Sequence, residues 1–404
     1  MFRMAFAGAA LLLAEMALPG GAQAASESVV YSFCGQTNCT DGALPVAALV
    51  ADSSGNLYGT TCAGGANDDG EVFELTPSGA LTVLHSFSGT DGVCPGAGVI
   101  MDSSGNLYGT ASQGGNTGGG CGDAGCGTVF KLAPGGTLTV LYAFSSNDGS
   151  TPYAALLMDK NGNLYGTTVT GGSGDCSCGT VFELPASGGE QVLYSFCSQE
   201  NCMDGISPWA SVIMDGSGNL YGTATYGGEA TGQCDLGCGT IFEITAAGKE
   251  KDIYAFQDLN DGAYPLGGLT FGRGSELFGT AEGGGSHNDG TVFKVRRNRV
   301  DPQYQFRGKG DAQLPDAGLI SDGKGGGFYG TTCAGGEKHK GAVFSISASK
   351  KETVVYSFEG KNDGVCPAAS LLNVSGTLYG TTTFGGGTGC TQNEGCGTVF
   401  AVKP

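Results

Sequence analysis

The chain has 404 residues, 77 of them glycine, with a net charge of −19 and a pI near 4.4. So acidic a surface argues against nucleic acid as a partner, because phosphate binding needs clustered Lys and Arg. An apolar fraction of 40 %, with no three-residue glycine period, excludes both a disordered and a collagen-like chain.

Residues 1–24 read as a secretory signal. Arg3 gives a positive start, Ala5 to Leu18 is mostly apolar, Pro19 and Gly20 break the helix, and Ala22 to Ala24 is a cleavage site of the A-x-A type. The apolar run is about 14 residues, short of the roughly 20 needed to span a bilayer. A secreted or periplasmic product is expected. The 16 cysteines, an even number, fit disulfides in an oxidising compartment.

From Glu27 onward one order of motifs repeats. A β-rich run ends in Tyr31-x-Phe33, with counterparts beginning at His85, Tyr142, Tyr194, Tyr254, Tyr304 and Tyr356. An Asp-Gly-x-x-Pro turn or a variant follows, carrying Asp41, Asp91, Asp148, Asp204, Asp261, Asp311 and Asp363. An apolar run and a tight turn then lead into Leu-Tyr-Gly-Thr or a close variant. That tetrad starts at Leu57, Leu107, Leu164, Leu220, Leu277, Phe328 and Leu378, at spacings of 50, 57, 56, 57, 51 and 50 residues. A Gly-Gly loop of variable length comes next, then Gly-x-Val-Phe or its variant, first at Gly70.

Each repeat thus holds four short β-runs: A after the proline, B at Leu-Tyr-Gly-Thr, C at Val-Phe and D at Tyr-x-Phe. Four strands per repeat and seven repeats predict an all-β, seven-bladed β-propeller over residues 25–404. The chain starts with a spare D strand and ends with a C strand. If the N-terminal strand completes the last blade, the ring closes and no strand edge is left unpaired there. The tetrad glycine is read as a point of close aromatic approach, and the recurring Tyr and Phe as packing between blades.

Strand order puts the B–C and D–A loops on one face. The B–C loops are long and variable, so this face is where binding is expected. Cys62 with Cys94, and Cys333 with Cys366, would join loops on that face. Cys34 with Cys39 and Cys197 with Cys202 bracket D–A loops. Cys121 with Cys126, Cys234 with Cys238, and Cys390 with Cys396 lie within B–C loops, which leaves Cys176 and Cys178 for each other. Zinc is the alternative for these sulfurs, though no His stands at ligand spacing. The seven turn aspartates are expected on the same face, around the channel mouth. They either hold a cation such as Ca²⁺ or cap their own turns. Trp209, Tyr153 and Tyr264 fall near the mouth, where they stack on a sugar ring or pack the channel. His287 and His339 lie in neighbouring B–C loops. Arg296, Arg297 and Arg299 form a basic turn on the opposite face, read as solvated. No G-x-S-x-G, H-E-x-x-H or P-loop pattern occurs.

The motif order, from Tyr-Ser-Phe through Gly-Asn-Leu-Tyr-Gly-Thr-Thr to Gly-Thr-Val-Phe-Glu-Leu, resembles the GloVer tandem repeat of exported bacterial "choice-of-anchor" proteins. The resemblance covers nearly all of the mature chain. It implies an exported or cell-surface protein and carries no catalytic residue over. With no apolar tail before Pro404, a soluble secreted or periplasmic monomer is expected. Residues and resemblance together point to a non-catalytic binding or interaction module for a glycan or protein, with no cofactor beyond Ca²⁺. The alternative is a propeller enzyme acting on a carbohydrate or lactone-like molecule through the loop face.

Overall fold

The computed structural model describes residues 25–173, 176–229, 234–257, 260–296, 299–308, 310–323, 325–360, 362–387, 390 and 395–404. The expected signal segment lies outside them. Each blade is one antiparallel sheet with strands in the order A to D, which is also chain order in blades 1 to 6. In blade 1 the strands are Val50–Ala51, Leu57–Thr61, Glu71–Leu75 and Leu81–Ser86. Blade 7 takes A, B and C from Leu372–Val374, Thr377–Thr382 and Thr398–Lys403. Its D strand is Ser26–Ser32, from the other end of the chain. Pairing runs from Ser26 opposite Lys403 to Ser32 opposite Thr398. The last C strand is therefore paired on both sides, and the seven-bladed ring closes through backbone hydrogen bonds.

Local chemistry explains why the motifs recur. Gly59 of strand B stands opposite Phe73 of strand C. A methyl group on Gly59 would come within 2.7 Å of both the Phe73 ring and Leu49. The glycine is there for close approach, since a strand backbone suits any residue. The ring it admits meets the preceding blade edge-on: Phe33 against Phe73 at 5.2 Å, Phe196 against Phe242 at 5.0 Å, Phe358 against Phe400 at 5.0 Å. The same T-shaped pair stands at the other four interfaces. Burying each phenylalanine contributes about 1.5–3 kcal/mol. Edge-to-face geometry adds roughly 0.5–1.5 kcal/mol per pair.

The threonine of the tetrad has a separate role. Thr60 donates its hydroxyl to the Ala97 carbonyl of the next blade at 2.9 Å. Thr167 reaches the Ala210 carbonyl at 3.1 Å, and Thr331 that of Ala369 at 2.8 Å. Thr381 closes the series on the Ala47 carbonyl at 2.9 Å, 334 residues away in sequence. Every interface carries one such bond. Strand A is correspondingly short. Only Val50 and Ala51 pair with strand B in blade 1, and the stretch before them is held from the neighbouring blade.

The residue before each proline is left-handed in all seven blades, with φ between 52° and 58°, Leu44 and Tyr264 included. That conformation costs a non-glycine residue roughly 1–2 kcal/mol. Hydrogen bonds on both sides hold it. The Tyr264 amide donates to Cys238 of the preceding blade, and its carbonyl accepts from Glu282 at the end of its own strand B.

Candidate binding channel

The seven segments that follow the prolines converge on a central cavity of about 420 Å³. Three positions after each proline stands a small residue, as at Ala48, Gly98 and Ser211, which lets seven backbones meet. The position directly after the proline is where the blades differ. Tyr153 and Trp209, on blades 3 and 4, meet edge-on at 5.3 Å. Gly96 of blade 2 makes room for the Tyr153 ring, since a side-chain carbon there would lie 2.8 Å from it. Blade 6 places Asp316 at this position. Burial pushes its carboxyl up to about 7, with the Glu282 charge adding to the shift. Its Oδ1 is buried without a hydrogen-bond partner among the described residues. Burial raises Glu282 as well. The cavity thus joins an aromatic wall to a carboxyl that can donate or accept a hydrogen bond at neutral pH.

The other residues singled out from the sequence are dispersed. Tyr264 packs on Tyr226 at 5.6 Å and does not line the cavity. His287 and His339 are exposed on their loops, and neither reaches the cavity. Among the described residues His287 hydrogen-bonds its neighbour Ser286, Nδ1 to Oγ at 2.8 Å. The seven turn aspartates do not surround the channel mouth: none lines the cavity. Each carboxylate instead accepts from a side chain near the end of an outer strand. Asp41 takes the Tyr31 hydroxyl at 2.7 Å, Asp148 that of Tyr142 at 2.7 Å, and Asp204 that of Tyr194 at 2.7 Å. Tyr304 serves Asp311, Tyr356 serves Asp363 and Tyr254 serves Asp261. His85 takes the tyrosine's place beside Asp91. Backbone amides complete several of these turns, as Gly35 and Gln36 do for Asp41. The physical reason is radial: the aspartate precedes its proline by four residues, and the D–A loop is still at the outer strand there.

Eight disulfides join Cys34–Cys39, Cys62–Cys94, Cys121–Cys126, Cys176–Cys178, Cys197–Cys202, Cys234–Cys238, Cys333–Cys366 and Cys390–Cys396. Cys62–Cys94 ties blade 1 to blade 2, and Cys333–Cys366 ties blade 6 to blade 7. Such a set suits an oxidising compartment. Among the described residues no helix is long and apolar enough to cross a membrane.

Sequence reading missed Asp316 and Glu282. The signal was present: Asp316 directly follows Pro315, in the place that Trp209 and Tyr153 hold in their repeats. Comparing that one position across all seven repeats exposes it.

Fold and cavity together define a closed, disulfide-stapled seven-bladed propeller with an aromatic and acidic central channel. The chain belongs to the Gloeobacter/Verrucomicrobia repeat family, whose profile matches residues 22–234, 121–326 and 232–404. No curated protein matches the sequence. One similar solved structure is a gluconolactonase from Xanthomonas campestris, at 13 % identity and a TM-score of 0.40, covering 68 % of this chain and 78 % of that one. Another is a luciferin-regenerating enzyme, at 13 % identity and a TM-score of 0.43, covering 76 % and 90 %. Neither likeness bears on activity.

Proposed function

We propose that this chain is an exported, monomeric binding module that takes a neutral, polyhydroxylated ring, a sugar, into the mouth of its central channel without transforming it. One observation carries the reading. Tyr153 and Trp209 form an aromatic wall in a cavity that also holds the unpartnered carboxyl oxygen of Asp316. A sugar presents C–H faces to an aromatic wall and hydroxyls to a carboxyl, and such mixed lining is typical of small-ligand sites. Trp209 is the only tryptophan, so its fluorescence reports on the site alone. Titration of the mature protein with a panel of mono- and oligosaccharides should give a saturable change. Trp209→Phe and Tyr153→Ala should keep the unfolding midpoint close to wild type, and Tyr153→Ala should lose the fluorescence response. A flat response to every sugar, from a protein shown to be folded, would remove the basis of this reading.

A second reading, an enzyme acting on the same class of ligand, is favoured by Asp316 itself. A carboxyl held near neutrality is suited to general acid–base work. Hydrolysis of a lactone or glycoside that disappears in Asp316→Asn, while sugar binding persists, would select it.

A further inference from the structure

We infer that the groove between blades 5 and 6, on the face opposite the long loops, binds a phosphate-type oxyanion. The argument begins with an exception to the repeat. In blades 1 and 4 the A–B turn aspartate accepts the tetrad tyrosine hydroxyl, as Asp52 does from Tyr58 at 3.3 Å and Asp215 from Tyr221 at 3.1 Å. A strand C glutamate stands opposite that tyrosine: Glu74 opposite Tyr58, Glu243 opposite Tyr221. Blade 5 changes all three positions. The aspartate is Gly272, the tyrosine is Phe278, and the residue opposite is Lys294. Two acidic groups and a hydroxyl have become a cation over an apolar ring, with the Lys294 ammonium 5.3 Å from the centre of Phe278.

Neighbouring turns reinforce the change. Arg273, Lys294, Arg296 and Lys350 line one cavity of about 290 Å³, floored by Phe278 and Phe328. Lys294 pairs with Glu276. Arg296 and Lys350 share Asp301, each at 3.4 Å. Four cations against two carboxylates leave the groove an excess of two positive charges. Arg273 has no carboxylate partner among the described residues, and its guanidinium stands close to blade 6, where a side-chain carbon on Gly325 would lie 3.1 Å from it. The equivalent groove between blades 3 and 4 is acidic, lined by Asp159, Glu183 and Asp215 with Lys160 as its cation. In a chain of net charge −19, the overall field repels anions, so a local cationic cavity is where they concentrate. An arginine fork beside a lysine point charge matches a tetrahedral oxyanion. The small volume suits one such group and its immediate carrier.

The test uses the whole mature protein. Inorganic phosphate and methyl phosphate are titrated by calorimetry. In parallel, phosphatidylcholine vesicles with and without phosphatidic acid are co-sedimented with it. Saturable binding in the first arm assigns the anion to a free ligand, and binding only to phosphatidic acid vesicles assigns it to a lipid headgroup; both support the site. Arg273→Gln and Lys350→Gln, both at exposed positions, should each weaken binding about tenfold, the effect of losing one charge-assisted contact. Added salt should weaken it further. Trp209→Phe should leave it unchanged, which separates this site from the channel. No binding in either arm, or unchanged affinity in both Arg273→Gln and Lys350→Gln, overturns the proposal.

Discussion

Replacing Thr381 by valine tests whether the ring is as well joined at its closure as elsewhere. Valine keeps the shape and removes the hydroxyl that reaches the Ala47 carbonyl at 2.9 Å. Both groups are buried, so the carbonyl loses its donor with no water to replace it. A lost bond of this kind costs about 1–3 kcal/mol. Unfolding entropy is roughly 2.1 cal/mol/K per residue, or about 0.8 kcal/mol/K over residues 25–404. The melting temperature should therefore fall by about 1–4 °C. Scanning calorimetry under oxidising conditions resolves such a shift. Thr167→Val removes the equivalent bond between blades 3 and 4 and should show a loss of the same size. Thr381→Ser keeps the donor and should recover much of the loss. If Thr167→Val is destabilised and Thr381→Val is not, the closing interface is not equivalent to the others and the reasoning fails.

Deleting residues 25–33 strips the outer strand from blade 7 and bares one edge of Thr398–Lys403; the truncated protein should aggregate, as seen by light scattering, and an unchanged monomer would contradict the closure. Burial, with an aspartate of a neighbouring turn adding its charge, pushes the carboxyls of Glu27, Glu190 and Glu352 up to about 7. The folded state then binds more protons than the unfolded chain between about pH 4 and 7, so the stability these groups contribute is present at low pH and lost as pH rises through about 7. Urea midpoints should be higher at pH 5 than at pH 8, and the reverse order would contradict it. The turn aspartates already hold tyrosine hydroxyls, so Ca²⁺ should produce no saturable rise in melting temperature; a stoichiometric rise abolished by Asp204→Asn with Asp261→Asn would show that they bind it.

The architecture was legible because one motif order recurs through the chain and each motif has a physical cause that reads in one dimension. A glycine facing a phenylalanine, a proline opening an inner segment and a spare strand at one end need no third dimension to be recognised. Radial position was not legible in the same way. A turn aspartate four residues before a proline reads as close to the channel, yet the loop still lies against the outer strand at that point. The bonds of Thr60 and its counterparts were hidden because threonine is common in strands on propensity alone. Arg273, Lys294, Arg296 and Lys350 come from two repeats, and only the packing of blade 5 on blade 6 gathers them.

The threonine bonds run in one rotational sense, each from strand B of a blade to the inner segment of the next. No interface is specialised for closing, and the chain's two ends meet within a blade, between strands C and D, not between blades. Whole repeats can therefore be gained or lost by recombination without inventing a new contact, provided the wedge angle adjusts. What limits the count is the hub. Ala, Gly and Ser at the innermost positions fit seven backbones around a cavity of about 420 Å³. An eighth repeat would widen that hub and pull the aromatic wall away from Asp316, so copy number and channel width are inherited together.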